Sequence, residues 1–368
     1  MRQQTMFAVL LTGHGGFDRL EWREDVPVPE PRAGEVLIRI GAAGVNNTDV
    51  NTRAAWYSRS VTEGTIASAA AGGFDAASAV DAGWTGTPLA FPRIQGADAC
   101  GRIVAAGAGV DASRIGERVL VEPVFRPAGS PEPRDAVYFG SECDGAFAEF
   151  ACVPSRHAYP IVSRLADAEL ASFPCAYSAA ENMLTRAAVS AGETVLVTGA
   201  SGGVGSAAVQ LARRRGATVI GVADAAKAPA LEALGAARVL ARDTDPAAAL
   251  GKESVDAVID VVGGRGFPRL LEVLVRGGRY AAAGAIAGPV VELDLRTLYL
   301  KDLRLLGCTV LESEVFGNLV GYVERGEIRP LVAATFPLPR IVEAQREFLE
   351  KRHLGKIVLL PPSVAPAF

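Results

Sequence analysis

The segment Val195-Leu196-Val197-Thr198-Gly199-Ala200-Ser201-Gly202-Gly203-Val204-Gly205 constrains the fold more than any other part of the chain. A β-branched run, Thr194 to Thr198, leads straight into a glycine-rich turn, and Val204 to Arg215 leaves it with helical spacing. Such a turn reverses tightly, lets backbone approach an anion without a Cβ in the way, and aims a helix N-terminus at that anion. Three glycines alone are common in loops. Here the strand before, the helix after and a second strand at Thr218 to Val222 supply the context a dinucleotide site requires. Gly199, Ala200, Ser201, Gly202, Gly203, Val204 and Gly205 are therefore read as the diphosphate-binding turn.

The alternation continues with a helix at Ala226 to Leu234 and strands at Arg238 to Leu240, Val255 to Val262, Gly278 to Ala283 and Leu303 to Thr309. Short apolar strands separated by helices predict an α/β fold with a doubly wound parallel sheet. The chain before this region differs in texture. From Phe7 to about Tyr159, β-like runs such as Val36 to Ile40, Gly101 to Ala105 and Arg118 to Glu122 alternate with Gly and Pro, predicting a β-rich domain of turns and barrel-like sheets. Ser58 to Pro92 is rich in small residues and is either a mobile cover over a site, the favoured reading, or a partly helical insertion. After a helix at Glu312 to Gly326, the tail (Ile328 to Phe336, a helix at Arg340 to Lys351, a strand at Lys356 to Leu360) is expected to return to the first domain. The expected division is 1–163 with 327–368, and 164–326 between them.

Composition closes off other classes. A formal charge of −4 with interspersed signs gives no basic stripe for nucleic acid. No stretch nears the roughly 20 apolar residues of a membrane helix, and Met1 to Thr12 reads as a strand rather than a signal peptide. The five cysteines are scattered with no CxxC spacing, as expected of a cytoplasmic protein.

The end of the second strand chooses between cofactors, because an acidic residue there accepts from a ribose hydroxyl and a basic one neutralises a 2′-phosphate. Val222-Ala223-Asp224-Ala225-Ala226-Lys227 argues both ways. NADPH is the expected cofactor, through Lys227, and NADH stays open, through Asp224.

Gly34-Glu35-Val36-Leu37-Ile38-Arg39, Gly44-Val45-Asn46-Asn47-Thr48-Asp49, Gly96-Ala97-Asp98, Gly101-Arg102-Ile103-Val104, Gly116-Glu117-Arg118-Val119, the glycine turn and Asp256 to Gly264 together resemble the medium-chain dehydrogenase/reductase superfamily, especially its zinc-independent quinone and enone reductase branch. The resemblance spans nearly the whole length. It implies a GroES-like irregular β-barrel catalytic domain, an inserted Rossmann domain and a cleft between them. Zinc-dependent members carry Cys and His where this chain has Asn46 and Ala97, and Cys175 stands where a third ligand is often found. Catalytic zinc takes three protein ligands, so no metal is expected. The three histidines have no ligand spacing, and Glu122 to Asp144 holds one cysteine, too few for a structural zinc lobe.

Without a Lewis acid, an acceptor that spreads its own charge is favoured: a quinone or an α,β-unsaturated carbonyl, whose enolate a few hydrogen-bond donors stabilise. Val262 and Gly263 are read as bordering the cofactor and Asn46 as a donor to the acceptor oxygen. Tyr57 is read as a proton donor, a poor acid at its ordinary pKa of about 10 unless tuned. The resemblance implies Gly284, Ala285 and Ile286 beside the nicotinamide and Thr48 as a relay hydroxyl. Trp56, Trp84 and Phe91 either line an apolar pocket or pack in the core. Rival readings are a zinc-free alcohol or aldehyde dehydrogenase and a non-catalytic nucleotide-binding redox sensor. Leu298-Tyr299-Leu300-Lys301-Asp302 before the last apolar strand suggests a homodimer paired at a sheet edge.

Overall fold

Glu35–Gly44 is the axis of the β-rich part, with Val36, Leu37, Ile38 and Ile40 buried. The computed structural model describes residues 4–65, 67–127 and 133–362. Glu35–Gly44 pairs antiparallel with Cys100–Ala106 and Phe150–Pro154, and its last residues pair with Lys356–Leu360 near the far end of the chain. Along this sheet the order is Ala158–Pro160, Arg118–Val121, Cys100–Ala106, Glu35–Gly44, Lys356–Leu360, Val332–Pro337. A second sheet joins Leu20–Pro27, Thr5–Leu11 and Arg93–Ile94.

The C-terminal pairing fixes the site. Val358 lies opposite Gly44 and Leu359 opposite Ala43, and Val45 N donates to Ile357 O at 2.9 Å. Continuing that antiparallel register carries Lys356 to Asn46, since each step along one strand moves one step back on the other.

The predicted parallel sheet is present and doubly wound. Its six strands run in the order Arg238–Ala241, Thr218–Ala223, Thr194–Val197, Val255–Asp260, Leu274–Ala282, Arg304–Gly307, all parallel. Strand order reverses beside Thr194–Val197, and the crevice beyond the carboxyl ends at such a reversal is where open α/β sheets bind ligands. The helix Gly203–Arg214 follows the glycine turn and buries Ala207, Ala208, Leu211 and Ala212. Against it lies Pro174–Arg186, which begins with proline at its first turn, where the missing N–H costs nothing. The sequence reading placed no element there.

Ser58 to Pro92 contains one short helix, Ala67–Gly72, and otherwise turns. Arg53, fully buried, donates to Gly15 O, Ala70 O and Gln345 Oε1, and so ties this stretch to two distant segments. Burial pushes the Arg53 guanidinium down to about 10. Thr65 N donates to Ile286 O at 2.9 Å, joining the stretch to the parallel-sheet side of the crevice. Among the described residues, no helix is long and apolar enough to cross a membrane.

Candidate functional site

A cavity of about 670 Å³ lies between the β-rich sheets and the carboxyl ends of the parallel strands. Its floor is the glycine turn. A Cβ on Gly205 would sit 2.1 Å from Gly199 O and 2.7 Å from Ala200 Cα, so the helix can approach the strand this closely only at glycine. Gly202 caps the helix without a side chain, and Ser206 N makes the first intrahelical bond, to Gly202 O at 2.9 Å. The N–H groups of Gly203, Val204 and Gly205 are therefore left without partners inside the helix. A bare helix N-terminus in a glycine cradle fits an anionic dinucleotide.

The neighbouring loop is held by Asp260, fully buried at the end of its strand. Its carboxylate accepts from Thr198 Oγ1 (2.5 Å), Tyr280 OH (2.5 Å), Val262 N (2.8 Å) and Gly263 N (3.2 Å). Four donors to one buried carboxylate satisfy its charge and fix the Val261-Val262-Gly263 backbone against the crevice.

Most of the residues singled out from sequence meet in this one cavity. Asn46, Thr48, Tyr57, Gly199, Ser201, Gly202, Gly203, Val204, Gly205, Val262, Gly263, Gly284, Ala285 and Ile286 all line it. Ala200 is buried beneath the turn, its N–H donating to Val222 O. Asp224 and Lys227 are not among the lining residues. Asp224 accepts from Ala226 N and caps a short turn, while the Lys227 ammonium donates to Lys351 O (3.0 Å) and His353 O (2.8 Å). Asp224 serves its own turn and Lys227 a distant one, and the lip where the second and third strands end is lined instead by Arg242, Asp243 and Thr244. Trp56 and Trp84 line the cavity, whereas Phe91 packs edge-on against His14 at 4.9 Å.

Asn46 departs from its expected posture. Its Nδ2 donates to Asp98 Oδ2 (2.8 Å) and Gly44 O (3.3 Å), and its Oδ1 accepts from Lys356 Nζ at 2.5 Å. Both amide hydrogens already have protein acceptors, so none is left to aim at an acceptor oxygen. Lys356 also donates to Val45 O (3.0 Å) and pairs with Asp98 Oδ2 at 2.6 Å, with side chains 3% and 0% exposed. Asp98 Oδ1 accepts from Cys175 N at 2.6 Å. The approach is close enough that a Cβ on Gly44 would fall 2.4 Å from Asp98 Oδ2. Sequence reading missed Lys356 and its partner Asp98, because a lysine opening the apolar run Ile357 to Leu360 looks like an ordinary strand-end charge.

The hydroxyls that face the cavity are organised by one another. Tyr57 OH donates to Thr48 Oγ1 at 3.1 Å, and Asn51, also bonded to the Tyr57 hydroxyl, accepts from Thr65 Oγ1 at 3.1 Å. Burial pushes the Tyr57 hydroxyl up to about 12, outweighing its hydrogen bonds. Tyr138 OH lies 3.0 Å from Cys175 Sγ, and burial, followed by the nearby Asp98 carboxylate, pushes that thiol up to about 12. Both groups stay protonated through neutral pH. Among the described residues, no three His, Cys, Asp or Glu side chains converge as a metal site.

Comparison with known proteins agrees with this geometry. Residues 32–163 match the alcohol dehydrogenase GroES-like domain, and residues 203–325 match the zinc-binding dehydrogenase domain. A crystal structure from Sinorhizobium meliloti 1021, provisionally described as an alcohol dehydrogenase, is 46% identical, with a TM-score of 0.86 over 97% of both chains. Acryloyl-coenzyme A reductase of Metallosphaera sedula is 29% identical over 96% of this chain and 99% of its own. Quinone oxidoreductase of Rattus norvegicus is 27% identical over 97% of this chain and 98% of its own. The fold is shared over essentially the whole length, and the chain belongs to the medium-chain dehydrogenase/reductase superfamily of oxidoreductases.

Proposed function

We propose that the protein is a zinc-independent, NADPH-dependent reductase of quinones or α,β-unsaturated carbonyls, enoyl thioesters included. The observation that carries this reading is the buried Lys356–Asp98–Asn46 cluster. Of the positions that hold ligands in zinc-dependent members, one is Asn46, with its amide spent on Asp98, Gly44 and Lys356, and another is Ala97, with no donor at all. An ammonium fixed among these groups opposes a second cation there. Lacking a Lewis acid, the site suits an acceptor that disperses its own negative charge.

Bound reduced nicotinamide would supply the hydride, leaving the protein to orient, exclude water and stabilise charge. Thr48 accepts from Tyr57, which leaves the Thr48 hydrogen free to donate to the acceptor oxygen. A donor aimed at developing charge in a dry site is worth about 3 kcal/mol, and a hydroxyl that itself accepts a hydrogen bond donates more strongly. Tyr57 remains protonated at neutral pH and can pass a proton through Thr48 to the enolate. Trp56, Trp84 and Tyr138 give the acceptor end an aromatic lining, with the Trp84 and Tyr138 rings 4.9 Å apart.

The test is oxidation of NADPH and NADH with a benzoquinone, an enone, an enoyl thioester and a saturated aldehyde, before and after dialysis against a chelator. Turnover with the conjugated acceptors, unaffected by chelation, is expected. Turnover confined to aldehydes or alcohols would favour a zinc-free dehydrogenase. Tight cofactor binding with no turnover would favour a redox sensor.

The choice of NADPH rests on Arg242, which follows the third strand at the cavity lip and is exposed. A guanidinium suits a 2′-phosphate bidentately. Arg242→Ala is expected to weaken NADPH binding about 10- to 100-fold and to leave NADH binding unchanged. Equal loss for both would remove Arg242 from the choice. The same reading divides the chain at 163/164 and 326/327 and places it in the cytoplasm. The edge strand Arg304–Gly307, with Leu295, Tyr299 and Leu300 more than half exposed beside it, supports a homodimer.

A further inference from the structure

We propose that Lys351 is a ligand to the cofactor's diphosphate, held by Asn47 on the cavity wall that faces the glycine turn; this rests on the reading of that turn as a dinucleotide site. Lys351 ends the helix Ile341–Glu350 with a left-handed backbone, φ 54°. Its ammonium donates to Asn47 Oδ1 at 2.8 Å and stands 3.6 Å above the Phe348 ring. Neither partner carries a full negative charge, and among the described residues no carboxylate forms an ion pair with Lys351. Asn47 accepts one ammonium hydrogen, which leaves two for a ligand.

The surroundings add cations and one neutral imidazole. His353 follows in the same turn and lines the cavity, with Nδ1 buried and without a partner. Lys227 donates to the carbonyls of Lys351 and His353, locking this turn against the parallel-sheet side. Gly355 N, in the same turn, donates to Ser201 O of the glycine turn at 3.3 Å. Arg242 adds positive charge near Lys227. Lys356 pairs with the Asp98 carboxylate, Asp224 lies near Lys227, and the buried Asp49 carboxyl faces Lys356 from the helix Asn47–Ala54. Lys227 and Lys351 thus collect near the glycine turn, and among the described residues neither is held in an ion pair by a carboxylate. A doubly charged diphosphate supplies what is missing.

A proton moves with the ligand. Burial, reinforced by Lys356, pushes Lys351 down to about 7, and burial with the three lysines pushes His353 down to about 4. In the free protein Lys351 is thus largely neutral at pH 8, while His353 is neutral well below that. A bound diphosphate favours the ammonium and raises its pKa. Between the free and bound values the complex holds the extra proton, so cofactor affinity falls as pH rises from 7 towards 9.

The test is calorimetric titration of NADPH into the full-length protein at pH 8, in two buffers of different ionisation enthalpy. The wild type is expected to take up on the order of one proton per cofactor. Lys351→Met should bind about tenfold more weakly at pH 7 and take up none. Lys351→Arg, always charged, should keep the affinity and lose the proton uptake. If Lys351→Met does not fold, the wild type and Lys351→Arg still decide. Absence of uptake by the wild type, equal uptake by the two, or unchanged affinity and uptake in a folded Lys351→Met would overturn the proposal. A wild type that binds neither NADPH nor NADH would overturn the dinucleotide reading itself, a different outcome from binding that ignores Lys351.

Discussion

Lys356→Met is expected to cost about 3–5 kcal/mol of folding stability, the range for removing one partner of a buried ion pair. Asp98 is fully buried, and its Oδ2 would lose the ammonium 2.6 Å away, leaving the carboxylate only neutral donors, Asn46 Nδ2 on Oδ2 and Cys175 N on Oδ1. Methionine follows the lysine stem and so adds little cavity cost, which isolates the charge. Denaturant unfolding of the cofactor-free protein reads the loss. The cause is checked by adding Asp98→Asn: neutralising the stranded carboxylate should recover a large part of the stability, since buried pairs are costly mainly when broken on one side. A loss under about 1 kcal/mol for Lys356→Met, the range of exposed pairs, would mean that the cluster is hydrated. Such a hydrated cluster would not take the place of a metal site. Asn46→Ala should behave as a milder member of the series, because it removes one acceptor of the ammonium and leaves the ion pair in place.

Gly205→Ala is expected to weaken NADPH binding by about 30-fold or more, the equivalent of about 2 kcal/mol of overpacking. The added carbon would lie 2.1 Å from Gly199 O and 2.7 Å from Ala200 Cα, and both are backbone atoms that no side-chain rotation can clear. Relief requires the helix to withdraw from the strand, which opens the turn and misaligns its N–H groups. Gly266→Ala serves as the control, because nothing lies within 4 Å of its added carbon. Fluorescence titration of reduced cofactor measures both. Binding within threefold of wild type by a correctly folded Gly205→Ala would show that the cofactor does not use this turn.

The glycine turn was legible because everything that defines it is local. Val195, Leu196 and Val197 form the strand, Gly199 to Gly205 the turn, and the spacing after Val204 the helix, all within one short stretch. The parallel sheet followed from the same kind of repetition, its strands falling within a few residues of where alternation puts them. What stayed hidden depends on pairing across the chain. Asn46 was visible as a site residue, but nothing near it in sequence tells that Lys356 would meet its Oδ1 and turn its amide towards Asp98. Asp224 and Lys227 were weighed because they follow the second strand. Yet Lys227 is drawn to carbonyls of a turn more than a hundred residues away, and the free guanidinium comes from the next strand. Pro174–Arg186 escaped notice because Cys175, Ser178 and Glu181 face the protein interior along with its apolar residues and blur the amphipathic stripe.

The strand Lys356–Leu360 also has a consequence for biosynthesis. Domains generally fold as units as the chain emerges from the ribosome, and the parallel sheet, closed by Arg304–Gly307, has all its strands before Lys356–Leu360 is made. The β-rich sheet does not, because the strand that pairs with the end of Glu35–Gly44 follows all of those strands in the chain. Until then Asp98 waits without its counter-ion and Gly44 presents an open edge to solvent. The parallel sheet therefore has all its strands on the nascent chain before the β-rich sheet does, and the emergence of Lys356–Leu360 is the event that assembles the pocket.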